Sequence, residues 1–181
     1  MKQLIIACCL LLLGTGGFAQ FSKASLQASG LTCALCTKAI NNSLEQLSFI
    51  KSVQPDIKSS SFLIEFKEGA AVDIDALRKG VEDAGFSVAK LQLTGQFNAL
   101  PVEPDEHATI NGTTFHFLSV KKQVISGEQV FTLVDKSFLP AKEFKKYSKS
   151  SSMSCVQTGK AGDCCKKDGV SADTRIYHVT I

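Results

Sequence analysis

The sequence has no apolar run near the ~20 residues that a membrane span requires, and no glycine-rich phosphate loop, readable Ser/His/Asp arrangement or internal repeat. These absences remove the usual sequence grounds for a membrane channel, a nucleotide-phosphate site, a triad hydrolase or a solenoid. A charge excess is missing too. The chain sets 20 Lys and Arg against 17 Asp and Glu, a formal net charge of +3, and that near-balance argues against nucleic acid as the main partner. Lysines do gather late in the chain, at Lys142, Lys145, Lys146 and Lys149 and then at Lys160, Lys166 and Lys167. A solvated helix face and loop account for them.

What is present begins with a leader pattern. Lys2 supplies a positive start, Leu4 to Leu13 an apolar stretch and Gly17-Phe18-Ala19 a small-x-Ala cleavage site, so residues 1–19 are expected to be a signal peptide with Gln20 as the first mature residue. No cysteine stands at the cleavage point to carry a lipid anchor. An exported protein, periplasmic or secreted, without stable membrane insertion is the expectation. Cleavage removes Cys8 and Cys9 from the 7 cysteines of the chain, leaving Cys33, Cys36, Cys155, Cys164 and Cys165. An odd number cannot all pair internally. The leftover thiol must pair between molecules, hold a metal or stay reactive.

Periodicity places these cysteines on a scaffold. Ala24, Leu26 and Ala28 alternate with Ser25, Gln27 and Ser29, the period of a half-buried strand ended by Gly30. Ile40, Leu44 and Leu47 form a helical stripe. Residues 50–57 and 61–67 look like two strands, the first on a sheet edge because Pro55 cannot donate to a ladder. Asp73 caps a second helix with Ile74, Leu77, Val81 and Ala84 on one face, closed by Gly85. Residues 86–93 make a last strand whose alternation changes phase near Lys90. The order βαββαβ is the split-βαβ, ferredoxin-like motif.

The expected class is therefore α+β, with a ferredoxin-like βαββαβ domain over residues 22–94, a linker over 95–105 containing Gly95, Pro101 and Pro104, and a small β-rich domain over 106–181. In the latter, Asn111-Gly112 signals a hairpin turn, residues 129–134 a strand, Pro140 the start of a short helix with Phe144 and Tyr147, 148–172 a polar loop with three cysteines, and 174–181 a final strand. A partly open barrel of the oligonucleotide/oligosaccharide-binding type is the expectation for it.

In this layout Cys33 lies in the loop after the first strand and Cys36 in the first turn of the first helix. Both sulfurs can converge on a helix N-terminus, where unpaired N–H groups and the positive dipole end favour thiolate. Thiolates select soft ions. Structural zinc wants four ligands and no His, Asp or Glu lies close in sequence, whereas two thiolates suit two-coordinate Cu(I) and leave room for an incoming ligand.

The stretch G30-L31-T32-C33-A34-L35-C36, followed by a helix and later by A84-G85-F86, resembles the heavy-metal-associated domain of copper chaperones, copper-pump N-terminal domains and periplasmic mercury-binding proteins. The resemblance covers about residues 22–94. The family's motif is Gly-Met-Thr-Cys-x-x-Cys, which implies metal-ligand roles for Cys33 and Cys36 and a loop role for Thr32. Leu31 replaces the family's methionine beneath the loop, a swap that conserves volume and polarity. Phe86 stands where relatives commonly carry tyrosine or lysine near the metal. Members that prefer zinc, cadmium or lead tend to have an acidic residue beside the first cysteine, and Thr32 there implies Cu(I), with Hg(II) or Zn(II) behind it.

The expected function is non-catalytic: an exported chaperone or buffer that binds Cu(I) and hands it to a thiol-bearing partner protein. The alternative is a thiol-disulfide oxidoreductase with Cys33 as attacking and Cys36 as resolving thiol, although Ala-Leu between the cysteines lacks the character of thioredoxin-like sites. A Cys33–Cys36 disulfide is the bland reading of the pair. For Cys155, Cys164 and Cys165 the readings are a local disulfide from Cys155 to either neighbour, or a second soft-metal site assisted by Met153 or His178. His116, between two phenylalanines, is expected to be structural, and His107 to sit at an exposed linker end.

Overall fold

A computed structural model describes residues 20–31 and 33–181. The expected signal peptide, residues 1–19, and Thr32 lie outside the described residues. Strands β1 (Gln20–Ser29), β2 (Ile50–Asp56), β3 (Ser61–Phe66) and β4 (Ser87–Val102) alternate with helices α1 (Ala34–Glu45) and α2 (Ile74–Asp83) in the order expected. The strands lie in the spatial order β2-β3-β1-β4 with antiparallel neighbours throughout. Pro55 falls on β2, at the sheet edge.

Local chemistry explains these elements. Asp73 caps α2 by accepting from the Ala76 N–H at 2.9 Å, and Gly85 follows the helix at φ 86°, in the left-handed region glycine tolerates. Ile40 and Leu44 from α1 and Ile74, Leu77 and Val81 from α2 are buried on one sheet face against Leu26, Ile64 and Leu91. The opposite face of β1 presents Lys23, Ser25 and Gln27 to solvent. The phase change near Lys90 is a bulge: Gln27 pairs with Lys90 but Ala28 with Val88.

Residues 95–105 are largely not a linker. Strand β4 continues through Val102 and pairs antiparallel with β7 (Gln123–Leu133) from Gln92↔Thr132 to Val102↔Gln123. Gly95 and Pro101, which look like breakers in sequence, have other reasons. A Cβ on Gly95 would stand 2.8 Å from the Gln20 carbonyl oxygen. Pro101 lies beyond the last β1 pairing at Gln96, where β4 has β7 alone as a neighbour among the described residues, so its missing N–H falls where one side of the strand is free.

The barrel expectation is likewise replaced by an open sheet. β5 (His107–Ile110) and β6 (Thr113–Phe117) form a hairpin about Asn111-Gly112, with positive φ at both turn residues. β8 (Ile176–Thr180) runs parallel to β6 and antiparallel to β7, which completes the order β2-β3-β1-β4-β7-β8-β6-β5. Closure would need β5 to meet β2, and these are the two edges. Helix α3 (Ala141–Tyr147), the short helix α4 (Cys155–Thr158) and a 3-10 segment at Asp163–Asp168 break up the expected polar loop. A second cluster of Leu118, Val134, Phe144, Cys155, Val156, Ala161, Cys165 and Ile176 forms there. β6 and β8 are thereby buried on both faces. Among the described residues no helix is long and apolar enough to cross a membrane.

Candidate metal sites

Cys33 is the N-cap of α1, and its sulfur accepts from the Cys36 N–H at 3.1 Å. Thr37 closes the first turn: its N–H and its hydroxyl donate to the Cys33 carbonyl at 3.1 and 3.2 Å. The two cysteines form a disulfide, with Cα atoms 5.3 Å apart. Cys33 is exposed, Cys36 half-buried, and Leu35 between them is 81% exposed. No acidic residue stands in the first turn of α1. Leu31 packs partly buried against the main core, and the Ser60 hydroxyl donates to its carbonyl at 3.2 Å. Phe86 also packs half-buried against that core. Reduced, this pair offers two sulfurs on an open surface with no carboxylate beside them in that turn, the environment of a soft-ion carrier rather than of a closed four-ligand site.

The second group of cysteines converges about 120 residues later in the chain, with all three as free thiols and no local disulfide. Cys155 and Cys165 are buried and Cys164 half-buried, and the three sulfurs lie within 4.8 Å of one another. Cys164 and Cys165 sulfurs are 3.4 Å apart, and Ser154 Oγ is 3.4 Å from Cys164 Sγ. Burial opposes ionisation of Cys164, but hydrogen bonds from the Ser154 hydroxyl, the Cys155 backbone N–H and Cys165 outweigh it and bring the thiol down to about 6. Burial, reinforced by Cys165 and Cys164, pushes the Cys155 thiol well above its ordinary range. Burial also raises Cys165.

Sequence reasoning missed the histidines here. His107 pairs with His116 across β5 and β6, and His116 with His178 across β6 and β8, so three imidazoles stand in one row on the face covered by the cysteine-bearing segment. His107 is not at an exposed linker end: its side chain is 1% exposed. Cys155 Sγ lies 3.7 Å from His116 Nδ1 and 3.9 Å from His107 Nε2. Burial, with the charges of His107 and His178 behind it and Asp105 opposing, pulls His116 down to about 4. The one signal in sequence was His178, in the predicted last strand and already a candidate helper. Met153 packs partly buried against the same cluster.

Comparison with known proteins concerns the N-terminal half. A copper-transporting ATPase of Helicobacter pylori is 34% identical over 68 residues, 38% of this chain and 9% of the ATPase. The copper chaperone CopZ of Bacillus subtilis is 27% identical over 66 residues, 36% of this chain and 94% of CopZ. A solved structure of a CopZ metallochaperone aligns with 38% of this chain and 100% of its own at 19% identity and a TM-score of 0.35. The chain spans a tenth or less of the copper ATPases it matches. Residues 25–87, which carry the Cys33/Cys36 loop and run from β1 to the start of β4, match the family model of the heavy-metal-associated domain, and this stretch, under half of the chain, is a heavy-metal-associated domain.

Proposed function

We propose that the chain is an exported, non-catalytic carrier or buffer of Cu(I), which takes the ion as cargo between Cys33 and Cys36 and passes it to a thiol-bearing partner by stepwise thiolate exchange. The observation that carries this reading is the placement of both sulfurs at the exposed N-terminus of α1, Cys33 as its cap and Cys36 in its first turn. Backbone N–H groups there favour thiolate, and the open surface admits a partner's sulfur. The kinship of residues 25–87 with copper ATPases and CopZ supports copper as the ion. Hg(II) has similar chemistry with paired thiolates, and Zn(II) would need further ligands. Loading takes the reduced pair, formed when an external dithiol gives the disulfide two electrons and two protons and is itself oxidised to a disulfide.

The disulfide itself favours the second reading, a thiol-disulfide oxidoreductase using the same pair. Anaerobic Cu(I) titration of the reduced protein against a competing chelator separates the two. The carrier reading expects a tight two-thiolate site that is lost in C33S/C36S and kept in C155S/C164S/C165S. Failure of the reduced wild type to compete for Cu(I), together with turnover of a disulfide substrate, would replace it with the redox reading.

A further inference from the structure

Each histidine of the buried row is held by a carboxylate on one nitrogen. His107 Nδ1 donates to Asp168 Oδ2 at 2.6 Å, His116 Nε2 to Asp105 Oδ1 at 2.9 Å and His178 Nδ1 to Asp135 Oδ2 at 3.3 Å. A carboxylate only accepts, so the facing ring nitrogen carries the proton and a neutral ring presents its lone pair on the other side. For His107 and His116 that other nitrogen faces Cys155 Sγ. For His178 it is Nε2, which is buried without a hydrogen-bond partner among the described residues. A purely structural pair of imidazoles would use both nitrogens on protein donors and acceptors. Here, among the described residues, the inner nitrogens of His107 and His116 meet a thiol, a weak hydrogen-bonding group.

The separations suit an ion. Metal–sulfur bonds of about 2.3 Å and metal–nitrogen bonds of about 2.05 Å place N and S about 3.6 Å apart in tetrahedral and about 3.8 Å apart in trigonal coordination. The observed values are 3.7 and 3.9 Å. Carboxylates behind ligating histidines fix tautomer and orientation in the same way. The fold supports the arrangement: β5, β6 and β8 set the histidines in register, while the segment carrying Cys155, Cys164 and Cys165 lies across them.

We propose that His107 Nε2, His116 Nδ1 and Cys155 Sγ form a second metal centre, buried and independent of Cys33 and Cys36, for a borderline ion of the copper-zinc series. Mixed imidazole-thiolate donors suit such ions, in contrast to the two bare thiolates at α1. Cys164, half-buried, and Cys165, buried, share Cys155 in a second group of three donors and lie beside the centre. His178 is the neighbouring imidazole with a free nitrogen.

The test uses residues 20–181 with C33S/C36S, so that the first site plays no part. Zn(II) and, anaerobically, Cu(I) are titrated separately against competing chelators, and the bound ion is examined by X-ray absorption. One equivalent is expected, with nitrogen scattering at about 2.0 Å beside sulfur at about 2.3 Å. The arm with the tighter binding names the ion. H107Q/H116Q should lose the nitrogen scattering and the tight site, and D168N, which leaves all three donors in place, should weaken binding by about 10- to 100-fold. Circular dichroism and melting of each variant confirm that it is folded. All-sulfur scattering that is unchanged in H107Q/H116Q would assign the ion to the three cysteines alone and overturn the centre; so would absence of binding in both arms.

Discussion

Cys164 and Cys155 show how one local environment separates two thiols nine residues apart. Cys164 receives hydrogen bonds from Ser154 and the Cys155 N–H on the half-exposed side of the segment, and its thiol ionises at about 6. Cys155 is buried, and that burial together with the neighbouring Cys165 and Cys164 pushes its ionisation up. Thiolate is the reactive form. In chelator-treated, reduced protein, alkylation by iodoacetamide at pH 7 should therefore label Cys164 well before Cys155 or Cys165 among these three, with a rate that climbs through about pH 6. Peptide mass mapping reads this directly, and equal labelling of all three would mean the Ser154 contact does not act in solution.

At the scale of elements, the critical join is between α2 and the far strands. Arg175, just before β8, bonds Asp75 of α2 at 2.9 Å and the buried Asp135 after β7 at 2.9 Å, while its guanidinium lies 4.1 Å from the Tyr177 ring. The Tyr177 hydroxyl also donates to Asp75 at 3.1 Å. Burial raises both carboxyls, but for Asp75 the hydrogen bonds of Arg175 outweigh it, and for Asp135 those of His178 and the charge of Arg175 do, so both sit below the usual carboxylate range. R175M should leave Asp135 buried beside His178 alone, at a cost of about 3 kcal/mol, the low end for a broken buried pair because Arg175 is partly exposed. The sign of the pH dependence follows. A depressed carboxyl stabilises above its unfolded value of about 3.9, and that stability is lost as pH falls through the folded value. The wild-type advantage over R175M in urea unfolding should be full at neutral pH and shrink below about pH 4. A constant difference would mean that packing, not charge, is what Arg175 contributes.

For the whole molecule, the main core runs from Phe21 to Val179 without a break at the expected boundary. Phe21, at the start of β1 and just before the residues that match the heavy-metal-associated domain, packs edge-on against Phe97, Phe115 and Phe131, with centroids 5.9, 5.5 and 5.7 Å apart, so the strand that enters that stretch is anchored among the strands beyond it. Strand β4 belongs to both halves. Cooperative units follow shared burial. Scanning calorimetry of reduced, metal-free protein should show one transition with calorimetric and van't Hoff enthalpies equal. Two resolved transitions would mean the halves unfold as separate units despite the shared strand.

The legible part of this protein was the part encoded by local periodicity and a short motif. Alternation at Ala24, Leu26 and Ala28, the stripe of Ile40 and Leu44, the Asp73 cap, edge placement of Pro55 and the Asn111-Gly112 turn all express neighbour-to-neighbour chemistry, and the structure contains each of them. Cys33 and Cys36 were legible for the same reason, since three residues of spacing put both at one helix start. Gly95 and Pro101 misled because their causes are the Gln20 carbonyl and the end of the β1 pairing, both far away in sequence. The histidine row was illegible for that reason as well. His107, His116 and His178 are separated by 9 and 62 residues, and only the register of an antiparallel hairpin against a parallel strand makes them neighbours of one another and sets His107 and His116 against Cys155. The sequence by itself determined the Cys33/Cys36 loop and the elements around it; strand pairing across the sheet decided how the strands beyond join it, and which imidazoles meet which thiols.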